Sequence, residues 1–265
     1  MQRPVLMWDD DEIGGRIYLQ ACHLFAAGLA ADQKSRVVQH AVSVLHKLTA
    51  PKYHMNNYAR LELEQKAEWE ARFNVEPDSG LREALEMTAE VEAFLFQVKS
   101  SLDMLAKLLI PVVGRGTLKT HTYGNKGEDL EKGLKQFRRN SAANPWAVDA
   151  LVSLVQHGRM AWIESTVSMR DRFSHFTALT GLRFQPIEWP SGWIEARCPT
   201  LDGDEILPKL RKIYQSNLEF HQDFMAIALC LKSQGVKLAL ESPTAMEGAW
   251  KSGGRFIKWG VAVAI

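Results

Sequence analysis

Cysteine is scarce in this chain: Cys22, Cys198 and Cys230 are the only three among 265 residues. They are far apart and odd in number, and no Cys-x-x-Cys occurs. That excludes a disulfide framework and a zinc knuckle and fits a reducing compartment. Paired metal ligands are missing too. There is no His-x3-His, Glu-x-x-His or His-Glu-x-x-His, and His23, His40, His46, His54 and His157 have no partner at ligand spacing, so neither a metal nor a cofactor is expected. Neither sign of charge prevails. The formal net charge is +1, so any affinity for nucleic acid must come from local clusters. Long apolar runs are absent as well. The longest, residues 224–231, is far too short to span a bilayer. Asp9-Asp10-Asp11-Glu12 stands where a signal or transit peptide would be basic and apolar, so a cytoplasmic protein without membrane association is expected. The glycines at 114, 116, 124 and 127 build no phosphate loop, because Lys126 is followed by Gly127 rather than Ser or Thr; this excludes nucleotide hydrolysis of that kind.

What is present is helical periodicity. Hydrophobic residues make up 46% and charged residues 24%, an ordinary globular composition, long enough for one large domain or a domain with an appendage. Val37, Val38, Ala41, Val44, Leu45 and Leu48 predict a helix over 33–49 that stops before Pro51, and a polar helix follows over 57–73. Pro77-Asp78-Ser79-Gly80 marks a break. Leu81, Leu85, Thr88, Val91, Leu95, Val98, Leu102, Leu105 and Leu109 alternate steps of four and three, the stripe of a bundle helix ended by Pro111 and Gly114. A short helix is expected over 128–139 and a long one over 146–171. Two strand-like runs flank Pro190-Ser191-Gly192, a β-hairpin at about 182–198. Leu210, Ile213, Asn217, Phe220, Phe224, Ile227 and Leu231 predict a final helix over 203–234. The apolar end, 256–265, is expected to pack on the body or on a partner. The fold class is therefore all-α, an antiparallel helical bundle with an inserted β-hairpin. Its expected parts are an N-terminal helical extension (1–77), the bundle (78–235) and the tail (236–265).

The chemistry concentrates at the end of the helix ending near 171. Ser168-Met169-Arg170-Asp171-Arg172-Phe173-Ser174-His175 puts an arginine, an acid and a histidine close together. Arginine grips a phosphate with a rigid fork of donors, and histidine moves protons near neutral pH. Metal-free RNA cleavage needs a base for the 2′-hydroxyl, an acid for the leaving 5′-oxygen and positive charge on the phosphorane. Arg170 can supply the charge and His175 the base or the acid. Asp171 can orient a histidine ring or position Arg170. Residues five apart on an ideal helix lie about 140° apart, so Arg170 and His175 converge only if the helix ends or tightens near Phe173. The bland alternative is a helix-terminal arginine paired with Asp171 and a histidine packed at a cap. Arg115 and His121 form a second, looser match in a glycine-rich loop.

Residues 115–139 are locally basic. Arg115, Lys119, Lys126, Lys132, Lys135, Arg138 and Arg139 stand against Glu128, Asp129 and Glu131, a net of +4. They can guide an RNA backbone or simply form a solvated surface. Trp189 and Trp193 bracket the hairpin turn and either stack on bases or pack across the strands. Ser101 and Asp103 either reach the site or face solvent. Asn217 and His221 either orient it or fix helix register.

With these elements placed, the chain resembles the HEPN superfamily (higher eukaryotes and prokaryotes nucleotide-binding domains) over about 78–235. The resemblance rests on the Arg-x4-His signature from Arg170 to His175, with polar Asp171 after the arginine. It rests also on the preceding long helix with Phe94-Leu95-Phe96 and Ser100-Ser101-Leu102-Asp103. It implies a metal-independent endoribonuclease with paired motifs facing each other across a homodimer. It also implies a role as a toxin or phage-defence effector held in check by an antitoxin protein. The hairpin and the first 77 residues lie outside the minimal bundle of that family, and some of its groups are catalytically inactive interaction or binding modules.

Overall fold

A computed structural model describes residues 16–27, 29–75, 84–114, 122–140, 143–176, 182–231, 238–241 and 260–263. The described chain is mostly helical. Its elements are α1 (Arg16–Ala26), α2 (Ala31–Val75), α3 (Leu85–Val113), α4 (Glu128–Phe137) and α5 (Pro145–Gly158). A π-helical turn (Arg159–Ile163) leads into α6 (Glu164–Phe176). The hairpin β1 (Gln185–Glu188) and β2 (Ile194–Arg197) comes next, then the two-residue strands β3 (Thr200–Leu201) and β4 (Asp204–Glu205), α7 (Ile206–Leu229), β5 (Leu238–Glu241) and β6 (Gly260–Val263). No helix among the described residues is long and apolar enough to cross a membrane.

The chain forms two compact units that interleave in sequence. One comprises residues 1–49, 98–165 and 215–265; the other comprises 50–97 and 166–214. The segments 1–77 and 78–235 each contribute to both.

In the first unit α2 contributes Val44 and Leu48, α3 contributes Leu102, Leu105 and Leu109, and α7 contributes Phe220 and Phe224, all buried. Gly158 lies where a Cβ would come within 2.8 Å of the Phe220 ring, so only glycine lets that ring seat against the end of α5. Trp162 meets the same ring edge-on, at 6.0 Å between centroids. Asp103 accepts a hydrogen bond from the Tyr123 N–H at 2.7 Å and pairs with Lys99, which fixes the entry to α4. The strand pair β5–β6 is antiparallel, Leu238 opposite Val263, and β6 lies against α1. The segment expected to pack as an apolar tail thus includes a strand.

In the second unit Tyr58, Phe73, Val91, Phe94, Leu95, Phe173 and Phe184 make the core. The Ala84 N–H donates to the Leu182 carbonyl at 2.8 Å, tying the start of α3 to the approach to the hairpin. β1 and β2 pair antiparallel, Gln185 opposite Arg197 and Glu188 opposite Ile194. The Asn74 side chain donates to the Ile194 carbonyl at 2.8 Å and accepts from the Ile194 N–H at 3.0 Å, so one amide satisfies both backbone groups of that residue. Lys66 adds an ion pair to Glu195 at 3.1 Å.

Three expectations need correction. Pro51 does not stop a helix: α2 continues through it to Val75. A proline removes one backbone hydrogen bond, a local penalty of about 3 kcal/mol, which burial of Leu48 and Tyr58 on either side offsets. Pro111 likewise lies inside the last turn of α3, and the helix ends at Gly114, whose φ of 93° is the left-handed cap that glycine adopts without strain. Leu85 does not belong to the buried stripe. It is 72% exposed, and Met87 and Ala84 are buried instead.

Candidate functional site

Arg170 sits on α6 with Met169 and Phe173 buried beside it. Those two apolar anchors fix the rotation of the helix and leave Arg170 at the margin of the core. Its guanidinium lies over the ring of Phe96 from α3, 5.5 Å from the centroid. One terminal nitrogen pairs with Asp171 at 2.9 Å. The Arg170 side chain is 25% exposed, and that of Asp171 46%. The Nε of Arg170 is sealed from solvent and has no hydrogen-bond partner among the described residues. A phosphate would therefore meet the outer guanidinium nitrogens, in competition with Asp171. Ser174 donates to the Arg170 carbonyl at 2.9 Å, and Arg172 forms a two-pronged bond to Asp202 at 2.8 and 2.6 Å.

α6 does not end near Phe173; it runs on to Phe176. Arg170 and His175 thus both have helical backbone, and the end or tightening of the helix near Phe173 that the sequence called for is not found. The His175 side chain lies outside the described residues. Of the two roles open to Asp171, the observed contact is the one with Arg170. Phe96 is the neighbour that the linear sequence does not reveal: it lies next to two buried residues, Phe94 and Leu95, yet it is 38% exposed and supports the guanidinium.

Within the basic segment, Arg115 and Lys119, like His121, lie outside the described residues. Lys126 pairs with Glu164 at 3.3 Å and Arg138 with Asp149 at 2.7 Å. Lys132 and Lys135 pair along α4 with Glu128 and Glu131. Arg139 is exposed and has no side-chain partner among the described residues. Much of the local positive charge is therefore compensated inside the first unit.

Trp189 and Trp193 are about half exposed. Their backbones pair, the Trp189 N–H donating to the Trp193 carbonyl at 2.8 Å, but their rings do not stack on each other. The Trp189 indole N–H donates to Glu195 at 3.2 Å. Ser101, Asn217 and His221 are fully buried in the first unit. The Ser101 hydroxyl bonds the Asn217 side-chain oxygen at 3.3 Å, and His221 Nδ1 donates to the Asn217 carbonyl at 2.8 Å. Burial pushes the His221 pKa down to about 4, although the carbonyls of Asn217 and Ser101 favour the charged ring. These residues make a polar core contact between α3 and α7. No three or more His, Cys, Asp or Glu side chains converge among the described residues.

Comparison with protein families, with curated proteins and with solved structures finds no match.

Proposed function

We propose that this chain is a metal-independent endoribonuclease of the HEPN type, acting through Arg170, Asp171 and His175. In this reading a base removes the proton of a ribose 2′-hydroxyl and the freed oxygen attacks the neighbouring phosphorus. An acid then gives its proton to the departing 5′-oxygen, leaving a 2′,3′-cyclic phosphate and a 5′-hydroxyl. Arg170 neutralises the charge that builds on the phosphorus oxygens. The reading is carried by one observation: a permanently charged guanidinium, three-quarters buried, rests on the Phe96 ring and keeps a quarter of its side chain exposed beside Asp171. One motif supplies one histidine, so in this reading the acid and the base come from two copies meeting in a homodimer. Arg139, with Lys126, Arg138 and the segment containing Arg115 and Lys119, guides the RNA backbone. The biological setting is that of a toxin or phage-defence effector restrained by an antitoxin protein.

A second reading is favoured by a specific observation. Arg170 already has a counter-ion in Asp171 and α6 continues through His175, which suits a catalytically inactive helical binding module. Incubation with labelled RNA in the presence of EDTA separates the two. The ribonuclease yields cyclic-phosphate ends, and Arg170→Ala or His175→Ala slows cleavage about 100-fold or more. Absence of cleavage by the wild-type dimer, or cleavage unaffected by both substitutions, rejects the nuclease and leaves the binding module.

A further inference from the structure

The first unit holds a cavity of about 590 Å³ between the start of α2 and the last turns of α3. Helical spacing explains its lining. Gln33, Arg36 and His40 fall on one face of α2, and Lys107, Ile110 and Pro111 on one face of α3. Where two bundle helices ordinarily meet through apolar side chains, α2 presents an amide, a guanidinium and an imidazole. Leu29 and Gly114 also line it, and none of the described lining residues is acidic.

Among the described residues the charges are unbalanced. Neither Arg36 nor Lys107 has an ion-pair partner among the described residues, which sets them apart from the cations of α4 and α6. His40 reports the imbalance. Its pKa is pushed below the ordinary value by burial, then by the positive charges of Lys107 and Arg36. Gln33 accepts from the Ala30 N–H at 3.3 Å through its side-chain oxygen, which leaves the amide nitrogen as a further donor. Leu29, Ile110 and Pro111 supply apolar surface. A cavity with clustered donors, two cations that have no ion-pair partner among the described residues, and an apolar wall is complementary to a molecule with an oxyanion at one end and hydrocarbon at the other.

We propose that this cavity binds a small organic anion, its phosphate or carboxylate group held between Arg36 and Lys107 and its apolar body resting on Leu29, Ile110 and Pro111. The site is independent of the reading of Arg170. Its volume suits a ligand of small-metabolite size, and Gln33 adds a neutral donor to the same head group.

The test uses the full chain and four probes: benzyl phosphate, hexanoate, inorganic phosphate and benzyl alcohol. Binding is followed by calorimetry and by amide chemical shifts. The expected result is one site per chain for benzyl phosphate or hexanoate, with shift changes confined to residues 29–40 and 107–114. The tighter of the two identifies the head group. Arg36→Gln and Lys107→Gln each weaken that binding about tenfold or more, with the melting temperature of each variant confirming its fold. Benzyl alcohol bound as tightly as the acids overturns the proposal, as does inorganic phosphate bound as tightly as benzyl phosphate. So does wild-type affinity in both variants, a shift pattern elsewhere, or no binding of either acid. Should a variant fail to fold, the four-probe ranking and shift map of the wild-type chain decide alone.

Discussion

Both compact units pair cations with carboxylates at their margins, but the first also sets two cations beside a cavity with no ion-pair partner among the described residues. The second unit pairs them at its margins: His54 with Glu90, Lys66 with Glu195, Arg170 with Asp171 and Arg172 with Asp202. The first unit likewise pairs Lys126 with Glu164 and Arg138 with Asp149, but it also buries Ser101, Asn217 and His221 in its core, and Arg36 and Lys107 line a cavity with no ion-pair partner among the described residues. A cation that already has a carboxylate is first a fastener, and an incoming phosphate must outbid that carboxylate. A cation with no carboxylate partner among the described residues presents no such competitor there. The arginine that sequence singles out and the cations that structure singles out are therefore different residues, with different demands on a ligand.

Several measurements can break or sharpen that contrast. The largest effect is the loss of RNA cleavage on replacing Arg170 or His175; a wild-type chain that never cleaves would leave Arg170 a fastener only. Next is acid stability. The folded pKa of His221, about 4, lies below its ordinary 6.5, so the neutral buried ring contributes fully above pH 6.5, and that contribution is lost as the pH falls towards 4. Urea unfolding should show a decline on the order of 3 kcal/mol across this window. His221→Leu should remove this component, and an unchanged pH slope in that variant would place the proton elsewhere. Smaller is the effect of Phe96→Ala. Losing the ring beneath Arg170 should weaken RNA binding by about 1 kcal/mol, roughly fivefold, while Phe96→Trp retains it; equal affinity in all three would mean that the guanidinium needs no platform. The smallest is the surface fork. A double-mutant cycle on Arg172 and Asp202 should give a coupling below about 1 kcal/mol that fades with salt, since both side chains are nearly half exposed.

The bundle is legible in the sequence where periodicity is long and unbroken. The α3 stripe from Val91 to Leu109 is buried, and so is most of the α7 stripe from Leu210 to Leu231. Legibility fails where a single residue carries a local penalty that distant packing overrides. Pro51 suggests an end, but the Leu48 and Tyr58 contacts that hold α2 together are tertiary. The hairpin is legible because Pro190-Ser191-Gly192 forces the turn locally; β5 and β6 are not, since their partner runs lie far apart in the chain. The same division applies to the candidate sites. Arg170, Asp171 and His175 lie within six residues and are visible as a motif. Phe96 beneath Arg170, and Lys107 facing Arg36 and His40, are brought together only by helix packing.

The amide of Asn74 has a consequence for assembly. By occupying both the N–H and the carbonyl of Ile194, it acts as a one-residue mock strand along the outer border of β2. A foreign β-segment cannot zip onto that border at Ile194 without first evicting the asparagine, so this edge of the hairpin is blunted against strand addition. A sheet continued from one molecule into the next is thereby disfavoured at that position.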